Sequence, residues 1–395
     1  MKKSPYGQIP DDWNNKSFDD CAELIKDTVK PSDDLGLPYI GLEHISQGQL
    51  SLLGFGKSDD VISAKSRFRK GDILFGKLRP YFRKVIIAPF DGVCSTDIWV
   101  VRAKQDIDQK FLFYWMASED FVETSSRASE GTKMPRAQWE FVGRIQQQIP
   151  SIPEQHAIAG ILSGLDDKIE INHRMNATLE SLARAVYRQW FMENEDVGSW
   201  DIGQIKNLGE IITGKTPPTN DRENYDGEIL FITIPDMHGK MFVIETGKTL
   251  SEQGVQTQRN KTLPPFSICV SCIATPGLVS MTTMPAQTNQ QINSLIPRDN
   301  KSYFYCYFAL RELGDEIRAR GSGGSVLLNL NKGQFETMDI SIPPADLMHK
   351  FQEFAEPLLM RLLANEKESR TLASLRDGLL PKLMRGEVKV SDVEG

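Results

Sequence analysis

The chain is expected to fold as an α+β protein: two tandem mixed α/β domains related by a pseudo-two-fold axis, separated by two long antiparallel coiled-coil helices. Three observations lead there. The second half of the sequence echoes the first in order and nearly in register. Each half opens on short β-type runs broken by turn residues. Each half then closes on a long stretch whose apolar positions fall three and four apart.

The repeat comes first, because internal duplication decides how every later element is read. Trp13-Asn-Asn-Lys-Ser-Phe18 is echoed by Trp200-Asp-Ile-Gly-Gln-Ile205, and Pro31 by Pro218. Pro38-Tyr-Ile-Gly-Leu42 matches Leu230-Phe-Ile-Thr-Ile234, and Phe111-Leu-Phe-Tyr-Trp-Met-Ala117 matches Tyr303-Phe-Tyr-Cys-Tyr-Phe-Ala309. From Ile149-Pro150 and Ile342-Pro343 onward the offset is constant: His156 falls on His349, Asn172 on Asn365, and Leu179-Glu-Ser-Leu182 on Leu372-Ala-Ser-Leu375. Residues 1–150 then form a first mixed domain, 151–193 a helix, 194–343 a second domain, 344–388 a second helix and 389–395 a tail.

Strands are expected at Asp72-Ile-Leu-Phe75, Lys84-Val-Ile-Ile-Ala88 and Ile98-Trp-Val-Val101. The first long helix starts after Pro153, a residue suited to a first turn, and runs to about Met192. Its seam is Ile158, Leu162, Leu165, Ile169, Asn172, Leu179 and Val186. The second, from about Ala345 to Met384, offers Phe351, Leu358, Leu362, Asn365, Leu372 and Leu379. A helix of this kind is on the order of 55 Å long and needs a partner to cover its stripe. Asn172 and Asn365 occupy equivalent positions. Either they fix register inside the seam or they sit exposed at its edge.

Composition bounds the function. The chain has 395 residues, 40% hydrophobic and 25% charged, with a net charge of −7. No apolar run approaches the roughly 20 residues of a membrane span. Met1 to Pro10 lacks the apolar centre of a signal peptide. A cytoplasmic protein with no membrane partner is expected. The five cysteines are odd in number and mostly widely spaced, so no disulfide framework is expected. Cys269 and Cys272 form a lone CxxC in an apolar run and read as small core residues. None of the five histidines has ligand spacing, and no metal site is expected. His156 and His349 open the two helices and read as structural.

Catalytic motifs fail on context. Gly209-Glu-Ile-Ile-Thr-Gly-Lys-Thr216 fits a phosphate-loop pattern, but Pro217 and Pro218 stand where the helix should start. An amino-methyltransferase needs Asn or Asp before Pro-Pro-aromatic, whereas Leu263 precedes Pro264-Pro265-Phe266. No catalytic residue is therefore assigned.

Charge is unevenly spread. Between Lys65 and Lys84 eight cations face the single acid Asp72. Such a patch suits double-stranded DNA, whose phosphates attract Lys and Arg and whose base edges accept their hydrogen bonds. The candidates in the first domain are Arg67, Arg69, Lys77, Arg79, Tyr81, Arg83 and Lys84, with Lys133 and Arg136 as a second loop. In the second domain they are Arg222, Lys240, Arg259 and Lys261, with Gln287, Asn289 and Gln290 as adenine readers. Gly321-Ser-Gly-Gly-Ser325 is a further loop for DNA. Two unlike domains on a helical spacer predict an asymmetric bipartite site, one duplex turn being roughly 34 Å.

Three segments carry a family resemblance. Ile152-Pro-Glu-Gln-His-Ala-Ile-Ala-Gly-Ile-Leu-Ser-Gly-Leu-Asp-Asp-Lys-Ile-Glu-Ile-Asn172 resembles the central helical region of type I restriction–modification specificity subunits. Ser374-Leu-Arg-Asp-Gly-Leu-Leu-Pro-Lys-Leu-Met-Arg-Gly-Glu-Val388 resembles their C-terminal signature, and Gly214-Lys-Thr-Pro-Pro218 the opening of a target recognition domain. The resemblance implies two target recognition domains and a helical spacer that binds two modification (methyltransferase) subunits, which restriction subunits join. S-adenosylmethionine would belong to the modification subunit, and ATP and Mg to the restriction subunit. Ile273-Ala-Thr-Pro-Gly277 departs from the Arg-Gly that family members often carry there. A self-contained restriction–modification enzyme and a coiled-coil adaptor without DNA are the competing readings.

Overall fold

A computed structural model describes residues 2–4, 7–9, 13–30, 36–127, 129–130, 133–273, 275–314 and 330–390. Pro31 and the Gly321–Ser325 loop lie outside them. The chain divides into two compact units. The first comprises 1–171 and 368–395, the second 172–367. Each long helix thus gives one half to each unit.

In the first unit Asn14–Ser17 pairs antiparallel with Gln146–Ile149, the strand that leads into the long helix. An antiparallel sheet runs Val85–Ile87, Ile73–Gly76, Ile98–Ala103, Ala22–Leu24. Its central strands alternate little, because both faces are buried: one joins the cluster of Phe75, Trp99 and Val101, the other that of Leu74, Ile98 and Val100. A second, five-stranded sheet runs Thr28–Val29, Lys65–Phe68, Gly92–Cys94, Pro38–Ile40, Gly56–Lys57. The apolar run after Asp108 is a helix, Gln109–Ala117, buried at every residue from Phe111 on. Asp108 caps it, accepting from Phe111 N at 2.8 Å.

The second unit repeats the plan. Asp201–Gln204 pairs with Asp339–Ile342. A five-stranded sheet runs Gly209–Thr213, Ile292–Pro297, Ile268–Ser271, Val279–Thr282, Phe242–Val243. A three-stranded sheet runs Thr249–Leu250, Tyr225–Ile232, Ala286–Thr288. Tyr303–Glu312 is the equivalent buried helix. A glutamine ties each helix start to its unit: Gln155 accepts from Asp108 N at 2.8 Å, and Gln352, one turn further along its own helix, accepts from Phe304 N at 3.2 Å. His156 faces Asp108 at 3.4 Å, and His349 is bonded to Asp299. Both histidines therefore clamp the start of a long helix to its own unit.

The long helices are Ile152–Phe191 and Ala345–Met384, 40 residues each. In both units their segments run antiparallel. Asp166 meets Arg376 and Lys168 meets Glu368 in the first, while Asn172 meets Asn365 and Trp190 meets Phe351 in the second. Ile158 and Leu162 join Leu380 and Leu383 in the first unit's core. Ala183, Tyr187 and Phe191 join Phe351, Ala355, Leu359 and Leu362 in the second.

The seam is rotated and widened relative to the sequence pattern. Leu165, Ile169, Leu179, Val186, Leu358, Leu372 and Leu379 are only half-buried, whereas Leu359 and Leu380 are buried. Each helix half packs on the sheets and the apolar helix of its unit as well as on the other long helix. The buried face is then broader than a coiled-coil stripe. Asn172 and Asn365 are buried, the inward of the two alternatives; Asn365 Nδ2 donates to Asn176 Oδ1 at 2.9 Å. The C-terminal helix continues through Pro357, since packing around Ala355 and Leu359 outweighs the roughly 3 kcal/mol of a mid-helix proline.

All five cysteines are buried and free. Burial pushes the thiols of Cys269 and Cys272 up, to about 12 and about 11. After the strand Gly209–Thr213 the chain continues through Lys215 to Pro218 without a helix, so the phosphate-loop pattern lacks its helix N-terminus. No helix among the described residues is long and apolar enough to cross a membrane.

Candidate nucleic-acid interface

In the first unit the hairpin between Ile73–Gly76 and Val85–Ile87 is closed by Lys77 to Lys84. Pro80 presets φ for a short turn, Pro80–Phe82. Arg79 and Arg83 flank it with φ of 51° and 49°, left-handed values that cost a non-glycine residue about 1 kcal/mol or more each. The neighbouring segment holds this backbone in place. Arg79 N donates to Pro135 O at 2.8 Å, Ala137 N to Lys77 O at 2.9 Å and Lys77 N to Asp97 O at 2.9 Å. Arg136 is ion-paired with Asp97 at 2.8 Å, which ties the second loop to the first.

Lys77, Arg79, Tyr81 and Lys133 are thereby gathered on two laced loops. Tyr81 is 52% exposed at the tip, beside Phe82, and Met134 is exposed next to Lys133. Three other candidates point elsewhere. Arg83 is turned inward, with Nε on Ala117 O at 2.6 Å and Nη2 on Asp377 at 2.9 Å. Lys84 Nζ donates to Leu42 O, and desolvation lowers its pKa. Arg136 spends its fork on Asp97. Arg67 and Arg69 are exposed, but on and beside Lys65–Phe68 of the other sheet. Asp72, the lone acid of the patch, is occupied by Arg102 at 2.6 Å, so the positive field around it is barely reduced locally.

In the second unit the polar run after Pro285 splits in role. Gln287 is fully buried. Its Nε2 donates to Thr262 Oγ1 at 2.9 Å, and its Oε1 accepts from Gln258 Nε2 at 2.8 Å. Gln258 Nε2 also reaches Lys215 O at 2.6 Å. This corrects the expectation for Gln287. It has no amide edge left for a base and instead supports the Gly214–Pro218 loop from below. Gly214 is required there, because a Cβ would lie 2.1 Å from Asn289 O. Gln290 is exposed, and its Oε1 accepts from Thr216 Oγ1 at 2.6 Å; Asn289 is half-buried and donates to Gln291.

Arg259 and Lys261 lie on the turn that directly follows Gln258. Lys215, Thr216, Gln290, Arg259 and Lys261 therefore share one network-supported edge. Lys215 and Thr216 join this edge in addition to the expected residues, and the Gly214-Lys-Thr-Pro-Pro218 pattern is the sequence signal that contains them. Arg222 is exposed on its own short turn, Arg222–Asn224. Lys240 lies near enough to Glu366 of the C-terminal helix to lower that carboxyl's pKa, placing it on the helix side of the unit.

The sequence profile of the type I restriction modification DNA specificity domain matches residues 10–181 and again 198–368. The chain is 30% identical to the type I restriction enzyme HindI specificity subunit of Haemophilus influenzae, over 82% of this chain and 88% of that one. It is 23% identical to the MjaIX specificity subunit of Methanocaldococcus jannaschii, over 100% and 97%. The solved type I restriction-modification S subunit from M. genitalium shares the fold, with a TM-score of 0.60 at 18% identity over 97% of this chain and 98% of its own. Two matches in tandem, spanning most of the sequence, place this chain in the type I restriction modification DNA specificity family.

Proposed function

We propose that this chain is the sequence-reading subunit of a type I restriction–modification complex. Each unit reads one half of an asymmetric bipartite DNA site, with a constant number of base pairs between the halves. One observation carries the reading: a duplicated scaffold presents two unlike polar edges. The first is a strained Lys-Arg-Tyr turn and the second a Lys-Thr-Gln loop. The two edges lie on non-equivalent loops of the repeated scaffold, so the two halves offer different groups to different bases.

The chain is not itself catalytic on this reading. Methyl transfer, with S-adenosylmethionine, belongs to two modification subunits docked on it. ATP- and Mg-dependent restriction belongs to further subunits. The test is methylation sequencing of DNA exposed to the chain co-expressed with the modification subunits of its own system. The expected result is a single two-part motif with a fixed gap. A contiguous motif would overturn the reading, and so would methyl transfer by the purified chain alone.

A further inference from the structure

Arg83 belongs by sequence to the most basic stretch of the chain, yet its side chain is only 14% exposed. Its Nε donates to the carbonyl of Ala117, the last residue of the buried helix, and Nη2 to Asp377 Oδ1 at 2.9 Å. That oxygen also accepts from Arg376 Nε at 3.2 Å and Nη2 at 3.1 Å. Arg376 is 1% exposed and donates through Nη1 to Asp166 Oδ1 at 2.5 Å. The second oxygen of Asp166 accepts from the Tyr114 hydroxyl at 2.6 Å.

Two guanidinium groups and two carboxylates therefore close one compensated network inside the first unit. It joins the exposed turn, the buried helix and both long-helix segments. Compensation is what makes burial of Arg376 tolerable, since an unpaired charge there would be strongly destabilising. The turn needs such an anchor. Its two left-handed arginines persist only if surrounding bonds over-determine them. Arg79 is held by backbone bonds to the second loop. Arg83 is held by its side chain.

The geometry points to Arg83 as a positioning residue, one that fixes the pose of Lys77, Arg79 and Tyr81 by tying their turn to Asp377. The inference rests on the DNA-reading function proposed above. A fixed pose matters for choosing bases, because a wrong base must be unable to draw the side chain into a substitute contact. It matters little for phosphate attraction, which follows local charge. Asp377, on a helix rather than on the turn, then governs base choice in the first unit alone.

The test uses the complex with its modification subunits, carrying Arg83→Gln, Asp377→Asn or Asp377→Glu. Methylation sequencing reads discrimination at each half-site, and a salt titration reads non-specific DNA binding. Arg83→Gln and Asp377→Asn are each expected to relax discrimination at one half-site by about tenfold, within the range of a single good base contact. The other half-site should stay sharp, which also reports an intact complex. Asp377→Glu should restore the wild-type pattern, and the salt slope should not change in any variant. The proposal is overturned if Arg83→Gln lowers non-specific affinity and reduces the salt slope by about one, as loss of a direct phosphate contact would. It is equally overturned if Asp377→Asn leaves both half-sites at wild-type discrimination; this arm decides the matter even where Arg83→Gln fails to assemble. A wild-type complex without a two-part motif would instead fault the underlying function.

Discussion

Glu366 gives the sharpest quantitative test of the second unit. It sits on the C-terminal helix, and its Oε2 is buried with no hydrogen-bond partner among the described residues. Burial first, and then the charge of Glu180, push its carboxyl up to about 7 from an ordinary 4.5; Lys240 opposes the shift. Glu180 is itself bonded by Arg311. The folded pKa lies above the unfolded one. The contribution to stability is therefore complete below pH 4.5, falls as pH rises from there to 7, and is gone above it.

At 1.36 kcal/mol per pKa unit the loss is about 3 kcal/mol as an upper value. Glu366→Gln keeps the shape and removes the titration. Urea denaturation of both proteins at pH 5 and pH 8 measures the effect. The variant is expected to match the wild type within about 1 kcal/mol at pH 5 and to exceed it by about 1–3 kcal/mol at pH 8. If the difference between the two proteins is the same at both pH values, the carboxyl is not being held neutral by the fold and the argument fails.

Three further outcomes follow from the same packing. Phe351 meets Tyr187, Trp190, Phe191 and Phe308, and Phe351→Ala should cost about 3–5 kcal/mol in urea denaturation. Arg376→Met leaves Asp166 without its cation, while Asp377 keeps Arg83; a loss of about 1–3 kcal/mol is expected, and an unchanged urea midpoint would contradict the network. Arg79→Glu should weaken DNA binding by the complex most at low salt, with the slope of log affinity on log salt reduced by about one, whereas an unaltered slope would remove Arg79 from the phosphate contacts.

How far the sequence reaches depends on the range of the interaction. The two long helices and their pairing are legible because a periodic apolar stripe of that length must be covered. The duplication is legible because Trp13 and Trp200, His156 and His349, and Asn172 and Asn365 keep their order. The runs Phe111–Ala117 and Tyr303–Ala309 align with each other, but they are apolar all round, so no periodicity says which face is inner; they are the buried helices of their units. The seam was read one position off at Leu358 and Leu379, since a stripe in sequence does not say how much of a helix a neighbouring sheet will cover. The basic patch was the least legible. Arg83 and Lys84 look like their neighbours until Asp377 and the Leu42 carbonyl, far away in sequence, take them up. Gln287 looks like Gln290, yet it lies in the fully buried strand Ala286–Thr288 and bonds to Gln258.

The second unit is one uninterrupted span, 172–367, while the first is completed only by residues from 368 on. Synthesis from the N-terminus therefore finishes the second unit before the first. Until Leu380, Leu383 and Arg376 arrive, Ile158, Leu162 and Asp166 lack the partners that cover them. The nascent first unit thus waits, apolar surface uncovered, for the last helix to be made. A frameshift or stop after Lys367, within the second half of that helix, would spare the second reader and disable the first.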